Sequence, residues 1–309
     1  MKYNSFNKEN NISVLLSTYN GDNYLEEQLD SLLSQTNKNF RIIARDDCSN
    51  DNTLNILNTY GIEILASKTN LGAKGSLSAL LEYAVQNSDS NYFMFCDQDD
   101  VWKNDKIEKT LAKMLEIEKN YSNIPVLVHT DLKVVDEELT ILHQSFMSYQ
   151  GIEAKYNNLN NLLIQNTITG CTMMINRKLA KVCLPIPSES IMHDWWIGLV
   201  ASKFGKIAYV DKATINYRQH NKNSVGAKQF NLKYILENIY KNHSLSTNIF
   251  QAKSFLDRYR DKLDKKTIDM LEDFISIENK SFWQKRKILL KHKLLKQGLI
   301  RNIGLLVKI

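Results

Sequence analysis

The strongest constraint on this chain is the stretch Tyr92-Phe93-Met94-Phe95-Cys96-Asp97-Gln98-Asp99-Asp100, where a continuous apolar run ends abruptly in carboxylates. Its first five residues are aromatic-rich and apolar at every position, the pattern of a strand buried on both faces. Three aspartates in the next four positions cannot carry that strand into a core, because each buried, unpaired carboxylate costs several kcal/mol. They belong where the strand leaves the sheet, and in open α/β sheets that carboxyl edge is where ligands bind. Hard carboxylate oxygens one residue apart suit Mg²⁺ or Mn²⁺, ions that usually arrive with a substrate's phosphates. The plainer reading is an acidic turn in which Asp99 and Asp100 cap a helix over residues 106–115. Taken alone, the stretch leaves both open.

The flanking chain bears on that choice. Ile12-Ser13-Val14-Leu15-Leu16-Ser17 reads as a first strand running into the turn Thr18-Tyr19-Asn20-Gly21. A leucine stripe predicts a helix over 24–35, and Phe40 to Arg45 a second strand that again ends in acid at Asp46 and Asp47. A helix over 53–60, a strand over 62–65 and a helix over 76–87 follow before Tyr92. This alternation predicts a mostly parallel, twisted sheet flanked by helices. Asp46 and Asp47 then share an edge with Asp97 and Asp99, which favours the ligand reading. Beyond it, Pro125 to Asp131 reads as a strand, residues 167–175 as a strand interrupted at Gly170, and residues 207–210 and 213–218 as two further strands. Glycine inside a strand lets a ligand or another backbone approach closely.

Composition narrows the class. At 309 residues, 43% hydrophobic and 24% charged, the chain is of ordinary globular make-up. No apolar run reaches the length of a membrane span, and the polar start of the chain lacks an export signal. Cys48, Cys96, Cys171 and Cys183 are scattered singly, as expected of reduced thiols in the cytoplasm. The net charge of +6 is uneven: residues 228–309 hold 18 Lys/Arg against 8 Asp/Glu, and residues 281–309 hold eight basic residues and no acidic one. That basic tail reads as a helical region. It fits docking on an anionic membrane, where each Lys/Arg is worth about 1 kcal/mol, or a solvated bundle or homo-oligomer contact. Nucleic-acid binding is the reading of another class. It lacks a groove-reading motif, and the acidic half repels phosphate backbones.

Six stretches carry a family likeness: Ser17-Thr18-Tyr19-Asn20-Gly21, Asp46-Asp47-Cys48-Ser49, Asn70-Leu71-Gly72, Asp97-Gln98-Asp99-Asp100-Val101-Trp102, His193-Asp194-Trp195-Trp196 and Tyr217-Arg218-Gln219-His220. In this order and spacing they resemble the family-2 glycosyltransferases of the GT-A fold, in particular bacterial rhamnosyltransferases that build cell-surface polysaccharides. The resemblance covers residues 11–226. It implies a GT-A (Rossmann-like) domain over 1–226, followed by a basic helical region over 227–309.

Position by position, it implies that Ser17, Tyr19 and Asp47 frame the nucleotide base. Asp97, with Gln98 and Arg218, lies by the ribose and diphosphate. Asp99 and His220 hold Mn²⁺ or Mg²⁺, and Asp194 is the catalytic base. His193 is expected to orient Asp194 by hydrogen bonding. Trp195 and Trp196 offer flat walls to a sugar or pack at the helix start, while Asp131 and Gly170 lie near sugar or acceptor. His129 reads as a core histidine. Cys48 and Asn104 depart from the residues more usual at their positions, with consequences for loop shape. The activity implied is metal-dependent, inverting transfer of a sugar, L-rhamnose from dTDP-rhamnose, to a glycan or lipid-linked acceptor. A UDP-hexose donor is the near alternative. The location implied is the cytoplasm, peripheral at the inner face of the cell membrane.

Overall fold

The computed structural model describes residues 11–221, 226, 229 and 245–309. Its strands are β1 (Ile12–Thr18), β2 (Phe40–Asp46), β3 (Glu63–Leu65), β4 (Tyr92–Cys96), β5 (Val101–Trp102), β6 (Val126–Val135), β7 (Ile141–His143), β8 (Met174–Asn176) and β9 (Lys206–Arg218). They form one mixed sheet in the order β3-β2-β1-β4-β8-β6-β9-β5, with β7 beside β6. β1 to β4 run parallel, as the β-α alternation requires. β8 is antiparallel to both β4 and β6, while β6 and β9 are parallel. The strand order reverses between β1 and β4, so the crevice beyond their carboxyl ends is a topological switch point. Tyr19 and Asp97 follow directly on those two ends.

Period-2 alternation packs both faces. On β4, Phe93 and Phe95 join one hydrophobic cluster while Tyr92, Met94 and Cys96 join the other. On β1, Leu15 points to the first cluster and Ile12, Val14 and Leu16 to the second. The helices covering the sheet include α1 (Leu25–Leu33), α2 (Thr53–Thr59), α3 (Gly72–Asn87), α4 (Lys106–Asn120), α5 (Phe146–Gln150), α6 (Leu159–Ile164), α7 (Arg177–Cys183) and α8 (His193–Phe204). Asp105, not Asp99 or Asp100, stands at the N-cap of α4.

Two expectations about strands are corrected. Residues 167–175 are not one strand: Gly170–Thr172 is a 3-10 turn and only Met174–Asn176 pairs as a strand. The Thr172 and Met173 N–H groups donate back to the Thr169 and Gly170 carbonyls at 3.0 Å each, which withdraws them from the ladder. The two strands read over 207–218 are one, β9, whose pairing with β6 shifts register between Thr130 and Lys133.

The C-terminal region is helical, with helices Ser246–Tyr259, Lys265–Ile275, Phe282–Lys291 and Leu299–Lys308. Tyr234 and Tyr240, read as helical, lie outside the described residues, as does most of the polar start, Met1 to Asn10. Phe255, Leu271, Leu289 and Leu305 belong to the same cluster as Phe93 and Trp196. These helices therefore share a core with the sheet.

Trp196 is fully buried, with Phe255 edge-on at 5.9 Å and Tyr259 stacked at 6.1 Å. It is a core residue, and the expectation of a sugar-facing wall is corrected: of the two tryptophans, Trp196 joins the core and does not line the cavity described below. Trp196→Ala is therefore expected to cost about 3–5 kcal/mol, read as a lower midpoint in urea unfolding.

Candidate active site

Beyond the ends of β1 and β4 lies a cavity of about 670 Å³, a size suited to a small organic ligand. Ser17, Tyr19, Asp47, Asp97, Gln98, Asp99, Gly170, His193, Asp194 and Trp195 all line it. Stretches far apart in the chain, from Ser17 to Trp195, thus reach one space. Arg218, His220, Asp131 and Trp196 are not among the lining residues.

At the β1 edge the polar groups hold loops. The Gln98 side chain accepts from the Tyr19 N–H at 2.7 Å and donates to the Tyr19 carbonyl at 3.0 Å. A Cβ at Gly21 would collide with that same amide, so the turn needs glycine there. Asp47 is buried, ion-paired with Arg45, and accepts from the N–H groups of Leu71 at 2.9 Å and Gly72 at 2.7 Å. Asp46 accepts from Ser49 N–H at 2.8 Å and Thr18 hydroxyl at 3.0 Å. These carboxylates lock two loops at the cavity rim, and Asp47 also lines the cavity. Cys48, between these loops, takes φ of 70°, the left-handed region that glycine or asparagine enters more easily.

At the β4 edge the three aspartates separate. Asp97 and Asp99 face the cavity, and the Asp99 carboxylate lies 2.9 Å from His220 Nε2. His220 stacks on Tyr24 at 4.9 Å between ring centroids. Tyr24, at the start of α1, was not singled out from sequence; only its aromatic character marked it. Asp100 turns inward and is fully buried beside Cys171, with one oxygen lacking a hydrogen-bond partner among the described residues. Burial, and then the charges of Asp99 and Asp194, push the Asp97 carboxyl up to about 7.

Arg218 lies in the interior. It donates to the Asp99 carbonyl at 2.9 Å and to Glu137, pairs with Glu27 and covers the Tyr24 ring at 4.6 Å. The guanidinium expected at the diphosphate is thus buried beneath Asp99, which it fixes through the backbone, and the direct contact is corrected to an indirect one. Asp131 likewise faces inward, accepting from Leu132 N–H at 2.8 Å and Met147 N–H at 3.2 Å. The expected sugar contact is corrected: Asp131 anchors α5, whose Phe146 and Gln150 line the cavity in its place. His129 is a buried core histidine, held near 4 by burial.

Asp194, at the start of α8, also lines the cavity. Burial raises its carboxyl to about 7 against hydrogen bonds that lower it. Its Oδ1 accepts from the Trp195 N–H at 2.6 Å and from the Asn166 side-chain amide at 3.3 Å. His193 does not orient it: both ring nitrogens lack hydrogen-bond partners among the described residues, and burial holds the ring neutral, down to about 3. The orienting group is Asn166, which sequence reading missed because it lies 28 positions away on a loop. Gly170 explains itself here. A Cβ on it would stand 2.8 Å from His193 Nε2 and 3.6 Å from Asp194 Oδ2. Trp195 lines the cavity with its indole N–H bound to the Leu162 carbonyl.

Asp99 carboxylate and His220 imidazole offer the hard-oxygen and borderline-nitrogen donors that Mn²⁺ accepts, and Mg²⁺ takes through oxygen. Burial first, and then the neighbouring carboxylates, hold Asp97 near 7, and the carboxylate repulsion is what a divalent cation would relieve. The second acidic group, Asp97, Asp100 and Cys171, has ligand atoms within 4.8 Å of one another. It suits such ions less well, since burial keeps the thiol protonated and the Lys106 ammonium already lies among these groups.

Comparison with known proteins agrees with this geometry. Residues 13–183 match the family model described as Glycosyl transferase family 2, and the chain belongs to that family. A dTDP-rhamnosyl transferase of Shigella flexneri, RfbG, is 31% identical over 231 residues, covering 71% of this chain and 76% of that protein. Among solved structures, Staphylococcus aureus TarS (residues 1–349) in complex with UDP-GlcNAc superimposes with a TM-score of 0.51 at 18% identity, over 91% of this chain and 80% of that one. A mannosyltransferase from Pyrobaculum calidifontis in complex with GDP-Man and Mn²⁺ gives 0.50 at 13% identity, over 98% and 81%. The fold is GT-A, with an added C-terminal helical region.

The close approach at Gly170 generates a prediction. In Gly170→Ala the methyl displaces the His193 ring, the chain neighbour of Asp194 at the start of α8, and a misplacement passed on to Asp194 in this way costs about a hundredfold in turnover. Nucleoside diphosphate affinity, read by calorimetry, is expected to stay within about threefold, because the β1 and β4 edges are untouched.

Proposed function

We infer that the chain is a metal-dependent, inverting glycosyltransferase that moves L-rhamnose from dTDP-rhamnose to a glycan or lipid-linked glycan acceptor in cell-surface polysaccharide synthesis. One observation carries the reading: Asp194 lines the same cavity as Asp97 and Asp99, at the sheet's switch point. The similarity to a dTDP-rhamnosyl transferase supports the donor. A UDP-hexose donor is the second reading, supported by the structural likeness to a UDP-GlcNAc complex.

In this reading the nucleotide lies over the β1 edge, between Tyr19 and the loop that Asp47 holds. The diphosphate reaches towards Asp99 and His220. Asp99 and His220 would hold Mn²⁺ or Mg²⁺, which would supply positive charge against the negative charge that builds on the leaving diphosphate. Asp194 accepts the acceptor hydroxyl's proton as the hydroxyl oxygen bonds to the anomeric carbon and the bond to the diphosphate oxygen breaks. A single base with attack from the face opposite the leaving group inverts the anomeric centre. Asn166 and the Trp195 N–H aim the carboxylate, and Trp195 offers an apolar wall for a sugar's C–H face. With a nucleotide-sugar donor the reaction is cytoplasmic, peripheral at the inner face of the membrane when the acceptor is lipid-linked.

The base must be ionised to act. With its carboxyl raised to about 7, kcat/KM is expected to fall about tenfold per pH unit below that value and to level off above it. Asp194→Asn is expected to lose about 10²–10⁴-fold in kcat with donor affinity retained. Titrating dTDP and UDP separately with Mn²⁺, with chelator and with Asp99→Asn tests donor and metal together. The rhamnose reading expects dTDP binding that needs Mn²⁺ and is lost in the variant. UDP binding alone would move the donor to a UDP-hexose, and binding unaffected by chelator would remove the metal.

A further inference from the structure

The last helix, Leu299–Lys308, is apolar towards solvent. Leu299 is 77%, Ile300 51%, Ile303 53% and Val307 70% exposed. At 3.6 residues per turn these four side chains fall within about 100° of arc. Leu305, on another side of the helix, is buried in the core. A globular helix normally turns its apolar stripe inward, and a contiguous exposed stripe marks a surface that meets something apolar. The helix Phe282–Lys291 lies alongside, since the Arg286 guanidinium donates to the Val307 carbonyl at 3.3 Å. It adds exposed Phe282 and Trp283, the latter 77% exposed and edge-on to Phe282 at 5.1 Å.

The charge carried by this segment is of one sign, although Asp273 of the preceding helix pairs with Lys291 and His292. Residues 281–309 contain eight basic residues and no acidic one. The Lys296 ammonium is pushed down first by burial and then by the charges of Arg301 and Lys308, so three cations gather beside the helix. Lys287 and Lys293 are exposed. A second copy of the chain would bring an identical positive surface against this one, and like charges at an interface oppose pairing. An anionic bilayer complements both features, with its acyl region for the leucine, isoleucine, valine and tryptophan side chains and its headgroups for the lysines. No helix among the described residues is long and apolar enough to cross a membrane, so contact through this stripe is in the plane of the surface.

We propose that the Leu299–Lys308 helix, with Phe282 and Trp283 beside it, is a docking surface for anionic lipid bilayers. It deepens the transferase reading by naming the surface that brings the enzyme to lipid-linked acceptors. Its test reads partition, not transfer, so the two stand or fall separately. Asp194→Asn failing to abolish transfer would overturn the mechanism and leave docking intact.

The full chain is sedimented with vesicles of phosphatidylcholine alone and of phosphatidylcholine mixed with phosphatidylglycerol. Wild type is expected to pellet with the anionic vesicles only, and less as salt is raised. Ile303→Ser with Val307→Ser is expected to lower that partition by about tenfold or more. Both side chains are exposed, so the melting temperature and nucleoside diphosphate affinity are expected to match wild type and to exclude misfolding. Absence of binding to anionic vesicles, or binding unchanged in the double variant, overturns the proposal. So does a lipid-free dimer that the double variant dissociates, which would assign the stripe to a second copy.

Discussion

A strand that is apolar at all five positions delivers Asp97, Asp99 and Asp100 to one sheet edge, and the chain must offset the cost of holding those carboxylates close together. It does so by dividing them. Asp97 and Asp99 open to the cavity, where water, substrate or a cation reaches them. Asp100 turns into the protein, where Lys106, fully buried at the start of α4, lies over the Trp102 ring at 4.5 Å. Burial brings Lys106 down to about 8, against Cys171, Cys96 and Asp100, which favour its charge. This interior cation is the fixed counterpart of an edge whose outer charges await a ligand.

Around that edge the polar groups divide into those committed to the protein and those left open to the cavity. Arg218 grips the Asp99 carbonyl from below, Gln98 clasps Tyr19 on both sides of its peptide, Asp47 draws in Leu71 and Gly72, and Asn166 steadies Asp194. Their hydrogen-bonding capacity is largely committed to the protein. Asp97, Asp99, Asp194 and the two open nitrogens of His193 have less of theirs committed. The arrangement is preorganised: dipoles and carboxylates stand in place before substrate arrives, so less reorganisation is needed during transfer.

The C-terminal helices are joined to this framework through shared surfaces. Their buried side chains complete the cluster that also holds Trp196 and α3, so the basic region is tied to the catalytic sheet by packing. Charge distinguishes it from the rest of the chain, and its outer face carries the apolar stripe.

Much of this was legible in the linear chain, because it rests on short-range physics. Period-2 burial and an apolar run ending in carboxylates define β4 and the edge where it stops; β-α alternation defines the parallel half of the sheet. The motif order led to family 2. What the linear chain left open depends on where side chains meet across long separations. Whether Trp195 or Trp196 faces the cavity is decided by the rotation of α8 against Phe255 and Tyr259. Whether Arg218 and Asp131 touch substrate is decided by partners on other elements: Glu27 and Tyr24 for the first, Met147 for the second. Asn166 becomes the group that aims Asp194 only because a loop returns beside α8. Sequence by itself determined the strand, its acidic end and the family, since periodicity and charge are local properties. Tertiary structure alone decided which polar groups serve the fold, since a hydrogen bond belongs to whichever partner packing brings within reach.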